Sequence, residues 1–281
     1  MIAEPNVKLN LGLNVLRKRP DGYHDLSTLF VPYLGIRDTL EIVPGDDYSR
    51  TSGRLFDTYG SDKLAQAISP DGKLMITVAR AEGVDWDPLS DLTAKAYGIL
   101  AEDFTLPVAK IFLEKKAPVG AGLGGGSADG AFALRMLSDL FGLGLPDQKL
   151  SDYASRLGSD CPFFVYNTPM LGSGRGEKLS PYPLDLEGYE IRVVVPEGIS
   201  VSTREAYKGV HPAIPAHPIE EILARSVEEW KGLLKNDFEP SVFVSHPALA
   251  DLKQKLYDEG AVYASMSGSG SALFGIFPKQ R

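Results

Sequence analysis

A run of glycines between an apolar strand and a helix is the feature that most constrains the fold of this chain. Six of its 29 glycines fall within residues 120–130, whose sequence is GAGLGGGSADG. The preceding segment 110–115 (KIFLEK) predicts a strand, and the pattern of residues 127–141 predicts a helix. Glycine lets backbone N–H groups approach an anion without a Cβ in the way, and a helix starting there adds its own N–H groups. This order of elements therefore predicts a phosphate-binding loop, with a flexible turn as the alternative.

Two other phosphate-binding loops fit the sequence less well. A P-loop places Lys and then Ser or Thr after its last glycine, whereas Gly126 is followed directly by Ser127 and no lysine lies inside the loop. The dinucleotide pattern G-x-G-x-x-G is present at Gly120, Gly122 and Gly125. However, the acidic residue expected at the end of a second strand about 20 residues later is missing.

The remaining sequence predicts an α+β protein. Residues 6–16 (NVKLNLGLNVL) alternate between apolar and polar side chains, which is typical of a strand with one face on a core. Further strands are predicted at 26–43, 73–78, 189–195 and 271–277, and further helices at 89–103, 147–157, 219–234 and 248–259. Residues 44–63 read as a polar surface excursion, and residues 211–218 as a proline-rich loop. Strands that form hairpins favour the α+β class over a doubly wound sheet, and we expect a domain boundary near residue 165.

Charge and cysteine content exclude several classes of function. The 29 basic and 37 acidic residues give a net charge of −8 and a pI of about 5.1, which disfavours binding to nucleic acid or to anionic membranes. No segment resembles a signal peptide, and no apolar run approaches the length of a membrane span. The single cysteine, Cys161, excludes an internal disulfide and a multi-cysteine metal site. We therefore expect a cytoplasmic protein with no nucleic-acid or membrane partner.

Motifs in a fixed order along the chain resemble one kinase family. The glycine loop reads P-x-x-x-G-L-G-G-G-S-[SA]-[DN] from Pro118 to Asp129. The other motifs are NVKLNLGLNV (6–15), RPDGYHDLSTLF (19–30), LGSDCPFF (157–164), GRGE (174–177), NDFE (236–239) and MSGSGSALFG (266–275). Together they resemble the GHMP superfamily, named after the galactokinases, homoserine kinases, mevalonate kinases and phosphomevalonate kinases. The resemblance covers almost the whole chain. It departs from the usual family pattern at two positions: Ala128, where the family often has a second Ser, and Gly130, where the family often has Ala.

The resemblance implies a two-domain fold with mixed sheets, on which helices pack. The N-terminal domain (1–165) would bind ATP and carry out catalysis, and the C-terminal domain (166–281) would be the GHMP-kinase-like second domain. Nucleotide and substrate would bind in the cleft between them. The implied ATP-binding residues are Pro118, Val119, Gly120, Ala121, Gly122, Leu123, Gly124, Gly125, Gly126, Ser127 and Ala128.

The resemblance also implies a catalytic pair, Lys8 and Asp160. In that interpretation Asp160 accepts the proton of the substrate hydroxyl, while Lys8 stabilises this carboxylate and the developing phosphoryl charge. The residues alone leave open a solvated strand lysine and a simple helix N-cap. Ser127 is the candidate Mg²⁺ ligand, with Asp129 acting through water as the alternative.

The implied substrate-binding residues are Asn10, Tyr23, His24 and Tyr207. An aromatic ring and an imidazole suit a cytosine base, although His24 also fits a histidine in a hairpin turn. The glycine segments 172–177 and 267–270 fit either tight turns or borders of the site.

The activity implied is ATP-dependent phosphorylation of the 2-hydroxyl of 4-diphosphocytidyl-2-C-methyl-D-erythritol, a step of the non-mevalonate isoprenoid precursor pathway. ATP would be the co-substrate and Mg²⁺ the cofactor. The partner would be a small molecule with a cytidine diphosphate group, and the chain would be a monomer or weak homodimer. The alternatives are another GHMP-type kinase of the homoserine or mevalonate class, and a non-catalytic nucleotide-binding protein.

Overall fold

The computed structural model describes residues 1–279 and confirms the α+β class. The strands are β1 Ile2–Ala3, β2 Asn6–Lys18, β3 His24–Arg37, β4 Thr39–Pro44, β5 Leu64–Ile68, β6 Leu74–Arg80, β7 Ala109–Lys115, β8 Met170–Gly174, β9 Lys178–Pro181, β10 Tyr189–Val194, β11 Tyr263–Met266 and β12 Leu273–Pro278. The helices are α1 Ser52–Tyr59, α2 Leu92–Asp103, α3 Gly125–Leu140, α4 Asp147–Leu157, α5 Cys161–Tyr166, α6 Thr203–Gly209, α7 Ile219–Leu223, α8 Glu239–Ser245 and α9 Pro247–Asp258. Within residues 1–279, no helix combines the length and the apolar character that a membrane span requires.

The chain forms two compact units that are not consecutive in sequence. The first unit comprises residues 1–7, 33–119 and 124–167, and the second comprises residues 8–32, 120–123 and 168 onward. This division differs from the predicted one near residue 165, because most of the hairpin formed by β2 and β3 belongs to the second unit. There β3 pairs with β8, about 140 residues further along the chain, from Leu26 opposite Gly174 to Phe30 opposite Met170.

The first unit is built on a five-stranded sheet with the order β1-β4-β7-β6-β5. β7 lies at its centre, antiparallel to β4 and parallel to β6. Ile76, Ile111 and Leu113 are fully buried, as expected for central strands covered on both faces. Because β7 runs directly towards the glycine loop, the core of this sheet fixes the point at which the loop starts.

The predicted surface excursion at 44–63 contains a helix, α1. Leu55 of α1 is buried in an apolar cluster with Val43, Ala79 and Phe112, against which Tyr59 also packs. Leu55 and Tyr59 lie four residues apart and therefore on the same helix face. The segment is largely exposed, as predicted, but the prediction missed the helix, because eight residues with one buried side chain are a weak signal within a polar, glycine-containing stretch.

The second unit contains two sheets, with the orders β2-β3-β8-β9 and β10-β12-β11. All residues of β2 from Asn6 to Val15 are buried, including the polar Lys8, Asn10 and Asn14. The alternating pattern correctly predicted the strand but placed only its apolar face on a core. Here the polar face is buried as well, against hydrogen-bonding groups.

The helix predicted at 219–234 is interrupted. α7 ends at Leu223, and a short 3₁₀ turn at Val227–Glu229 follows. Ser226 and Glu229 form a reciprocal capping box that starts this turn. The apolar pattern of this segment therefore did not reveal the capping box that starts a new turn at Ser226. The proline-rich segment 211–218 is a loop, as predicted.

Candidate active site

The glycine loop has the backbone geometry of an anion-binding turn. Gly120, Gly122 and Gly124 have φ values of 74°, 78° and 73°, a conformation that favours glycine. α3 begins at Gly125, two residues before the predicted start, and no side chain caps its N-terminus. A Cβ at Gly126 would meet nothing within 4 Å. The first N–H groups of α3 are therefore not capped by a side chain, and the space beside Gly126 is open. Both conditions are needed for a phosphate to reach these N–H groups.

The other predicted loop residues differ in exposure. Val119, Gly120 and Gly126 are exposed, Pro118, Gly122, Gly124 and Ser127 are partly exposed, and Ala121, Leu123, Gly125 and Ala128 are buried.

Residues 120–123 are fixed by hydrogen bonds within the second unit. The backbone N–H of Lys8 donates to the carbonyl of Leu123 (2.9 Å), and that of Ala272 donates to the carbonyl of Ala121 (3.0 Å). The carbonyl of Gly122 accepts from Lys8 Nζ (2.9 Å) and from Ser267 Oγ (3.0 Å). The segment 267–270 therefore borders the glycine loop. The sequence alone left open whether this segment was only a tight turn.

Lys8 is a buried ammonium group. It is 3% exposed, and its Nζ also donates to Asn10 Oδ1 (2.5 Å) and lies 5.6 Å from the centre of the Phe30 ring. The alternative of a solvated strand lysine is therefore wrong. The carbonyl and amide oxygens around Nζ offset part of the cost of burying its charge.

Thr28 orients Asn10. Asn10 Nδ2 donates to Thr28 Oγ1 (2.9 Å), and Thr28 Oγ1 donates to the carbonyl of Gly12 (2.6 Å). The amide of Asn10 is thus held with its oxygen towards Lys8. Thr28 lies within the motif 19–30, but a threonine within a β-rich segment carries no chemical signal by itself, so the sequence does not reveal this role.

Asn236 holds the segment that borders the loop. Its Nδ2 donates to the carbonyls of Met266 (2.8 Å) and Gly268 (2.9 Å), and its Oδ1 accepts from the N–H of Phe238 (3.0 Å). The motif NDFE contains this residue, but its role depends on a contact 30 residues away that a local pattern does not reveal.

Asp160 lies in the first unit, immediately before α5. It occupies the N-cap position with helical backbone angles, and its side chain makes no capping hydrogen bond. The interpretation of Asp160 as a simple N-cap therefore does not fit its geometry. The next residue, Cys161, is buried, which raises the pKa of its thiol to about 12 although a hydrogen bond from Ser127 opposes the shift, so this thiol is not a nucleophile at neutral pH.

Two of the predicted substrate residues lie together in the second unit. The rings of His24 and Tyr207 stack at 4.8 Å between centroids with an interplanar angle of 23°. Tyr207 also meets the ring of Phe238 edge to face at 4.8 Å. Burial, with a smaller effect of Lys18, lowers the pKa of His24 and favours its neutral form.

Tyr23 is separate from this stack. It is 55% exposed, and the guanidinium of Arg175 lies 4.7 Å from its ring centre. Because His24 and Tyr207 are in direct contact, a base would stack on Tyr23 or on an outer face of this pair, unless the pair opened.

The site offers little to a metal ion beyond one hydroxyl. Among the described residues, no group of three His, Cys, Asp or Glu side chains could hold a metal. Asp129 is fully buried against Lys115, whereas Ser127 is partly exposed in the first turn of α3. The donor set fits a cation that arrives bound to phosphate oxygens and gains one further ligand from the protein.

Comparison with known proteins agrees with this geometry. The family model "GHMP kinases N terminal domain" matches residues 91–168, and "GHMP kinases C terminal" matches residues 218–281. The chain is 44% identical over 277 residues, 99% of its length, to the 4-diphosphocytidyl-2-C-methyl-D-erythritol kinase of Bacteroides fragilis (strain YCH46), of which the match covers 92%. It is 43% identical over 279 residues to the enzyme of the same name from Parabacteroides distasonis, with 99% of this chain and 92% of that protein covered.

Solved structures give the same result. A crystal structure of a 4-(cytidine 5'-diphospho)-2C-methyl-D-erythritol kinase matches with a TM-score of 0.73 and 30% identity, covering 98% of this chain and 90% of that one. The homoserine kinase of Cytophaga hutchinsonii shares the fold, with a TM-score of 0.64 at 16% identity and coverage of 98% of this chain and 85% of that one.

Both family models match a chain in which a glycine loop leads into a helix with no side-chain cap, and in which a buried lysine donates to a carbonyl of that loop. The chain is therefore a small-molecule kinase of the GHMP class. ATP is the phosphate donor that this class implies. At 41–44% identity over nearly its full length, the chain belongs to the 4-diphosphocytidyl-2-C-methyl-D-erythritol kinase family.

Proposed function

We propose that this chain transfers the γ-phosphoryl group of ATP to the 2-hydroxyl of 4-diphosphocytidyl-2-C-methyl-D-erythritol, in the non-mevalonate route to isoprenoid precursors. The observation that carries the proposal is the buried ammonium of Lys8 hydrogen-bonded to the Gly122 carbonyl within the glycine loop. The identity of the acceptor rests on the names of the relatives at 41–44% identity.

In the proposed reaction the 2-hydroxyl oxygen bonds to the γ-phosphorus as the bond to the β,γ-bridging oxygen of ATP breaks. Asp160 accepts the hydroxyl proton, and ADP leaves with the bridging oxygen. Lys8 supplies positive charge to the transferring phosphoryl group, because its compact ammonium is held by Asn10 and Gly122. The N–H groups at the start of α3 bind the phosphates that do not transfer.

Mg²⁺ belongs to the proposal as the partner of ATP. When bound, it neutralises charge on the phosphate oxygens. We propose Ser127 as its protein ligand, because the hydroxyl lies in the first turn of α3 and is partly exposed.

At the other end of the substrate, we propose that Tyr23, His24 and Tyr207 hold the cytosine. The neutral form of His24, which burial favours, can both donate and accept a hydrogen bond at the edge of the base. Asn10 would orient the acceptor near Lys8.

We further propose a cytoplasmic protein that is a monomer or weak homodimer. Sedimentation at micromolar concentrations tests the oligomeric state.

Phosphate transfer to three acceptors tests the function. With ATP and Mg²⁺, we expect rapid transfer to 4-diphosphocytidyl-2-C-methyl-D-erythritol and at least a hundredfold lower kcat/KM with homoserine or mevalonate, which offer no base to stack. Transfer to one of the latter, with none to the first, would contradict the substrate assignment. ATP binding without transfer to any acceptor would instead support a non-catalytic nucleotide-binding protein.

A further inference from the structure

Three buried charged side chains join the two ends of the glycine loop in the first unit. Lys115 ends β7, Asp38 lies between β3 and β4, and Asp129 lies in the second turn of α3. Their side chains are 4%, 1% and 0% exposed. Lys115 Nζ lies 2.5 Å from Oδ2 of each carboxylate, so one ammonium bridges two acids on different elements.

Asp38 also holds the backbone where the loop begins. Its Oδ1 accepts hydrogen bonds from the N–H groups of Lys116 (2.5 Å) and Ala117 (2.7 Å), the two residues that precede Pro118. Hydrogen bonds to an ionised carboxylate are about twice as strong as those between neutral groups. Asp38 therefore fixes the direction in which the chain leaves β7.

The start of α3 lies directly against the same cluster. A Cβ placed on Gly125 would be 2.9 Å from the Cβ of Ala117, 3.6 Å from Lys115 Nζ and 3.7 Å from Asp38 Oδ2. The far side of the cluster is Asp129, which Lys115 holds through Oδ2 alone. Its Oδ1 is buried with no hydrogen-bond partner in the described chain.

Stability alone does not explain why three charged side chains are buried together. Burial strongly raises the pKa of Asp129, and Lys115 offsets only part of that effect. Replacing a buried ion pair by apolar residues of similar volume is often neutral or stabilising, so net stability is a weak explanation for such a cluster. Its distinctive property is geometric, because it sets the distance between the end of β7 and the start of α3.

We propose that Asp38, acting through Lys115 and the amides of residues 116 and 117, is the positioning residue that presets the span of the glycine loop before the nucleotide binds. The inference rests on the proposed function in assuming that the ATP phosphates occupy the loop. Donors that are already in place lose no conformational freedom on binding, so the cluster favours ATP binding and not the chemical step. None of the three side chains contacts the reacting atoms in this scheme.

Asp38→Asn tests the proposal. The single carbonyl oxygen of asparagine can serve Lys115 or the two backbone amides, but not both. We expect the KM for ATP to rise about tenfold while kcat stays within about twofold. An unchanged KM for ATP would overturn the proposal.

Glu41→Gln is the matched control. Glu41 is a buried carboxylate of β4 in the same unit, 1% exposed, and it likewise accepts from backbone amides, those of Arg50 and Thr51. Its substitution should lower the melting temperature but leave the KM for ATP within about twofold. An equal rise of KM in both variants would show that lost stability suffices, which would also overturn the proposal.

Hydrogen exchange on the unaltered chain covers the case in which Asp38→Asn does not fold. The amides of Lys116 and Ala117 should be protected to the same degree with and without Mg-ATP, since Asp38 holds them beforehand. Protection that appears only with the nucleotide would overturn the proposal. Because this readout does not depend on phosphate transfer, failure of the kinase assay would count against the proposed function alone.

Discussion

At the scale of single residues, the two candidate catalytic side chains, Lys8 and Asp160, differ in their exposure to water. Lys8 is buried and donates hydrogen bonds to two oxygens, those of Asn10 and Gly122. Asp160 is partly exposed and makes no capping contact with the helix that follows it. A buried cation and an accessible carboxylate suit different tasks, namely charge stabilisation and proton acceptance.

Asp160→Asn should lower kcat by a factor of 10² to 10⁴, because an amide cannot accept the proton of the attacking hydroxyl. ATP binding should remain within about twofold, as measured by calorimetry. Asp152→Asn, the same change at an exposed position of α4, should leave both quantities unaltered. A near-normal kcat in Asp160→Asn would refute its role as a base.

Glu114 predicts a pH dependence of stability. Hydrogen bonds from Arg54, together with smaller effects of Lys116 and Tyr59, lower the pKa of this buried carboxyl to about 2 against the opposing effect of burial. Since the pKa in the folded chain lies below that in the unfolded chain, this stabilisation is present above about pH 4.5 and is lost as the pH falls towards 2.

The expected loss is about 2 kcal/mol in the free energy of unfolding, allowing for solvent screening at the half-exposed Arg54. Urea titrations between pH 6 and pH 2.5 measure it. Glu114→Gln should flatten the curve over this range, and an unchanged slope would contradict the assignment.

At the scale of elements, the glycine loop combines positions with opposite requirements. Gly122 has a φ of 78°, and a Cβ there would lie 2.1 Å from the carbonyl oxygen of Ser267. Gly126 has no neighbour within 4 Å of such a Cβ. The sequence shows both simply as glycine, because the requirement at Gly122 comes from a segment 145 residues away.

Substitution by alanine should separate these two positions. Gly122→Ala should cost at least about 2 kcal/mol of unfolding free energy, from the left-handed backbone and the clash together. Gly126→Ala should leave the melting temperature nearly unchanged but raise the KM for ATP several-fold, because its methyl group lies where a phosphate would approach. An unaltered KM in Gly126→Ala would show that phosphate does not lie over this residue.

At the scale of the whole molecule, nucleotide binding should raise thermal stability. A ligand that binds only the folded state at 100 times its Kd contributes about 2.7 kcal/mol, which for a chain of this length is a shift of about 5 °C. We therefore expect Mg-ATP to raise the Tm by that amount in a thermal scan. Adenosine, which lacks phosphates, should produce a much smaller shift. Equal shifts with the two ligands would mean that the loop does not bind the phosphates.

Much of this fold and site could be predicted because the signals are local. The alternation in β2 and the limits of α4 at Asp147 and Leu157 follow from side-chain periodicity and helix stop signals, which act over a few residues. The glycine loop was predictable because its backbone conformations require glycine. α1 and the break after α7 were missed because tertiary burial and an internal capping box outweighed the average pattern of those segments.

The sequence by itself therefore determined the α+β class, the strand–glycine loop–helix order and, by resemblance, the kinase family, since these depend on short motifs in a fixed order. Only the tertiary structure decided that the polar face of β2 is buried and that the segment 267–270 borders the loop. It also decided that Lys115 bridges Asp38, 77 residues away in sequence, and Asp129, on the far side of the loop. The physical reason is that a buried charge is tolerated only beside a partner, and that partner can lie anywhere along the chain.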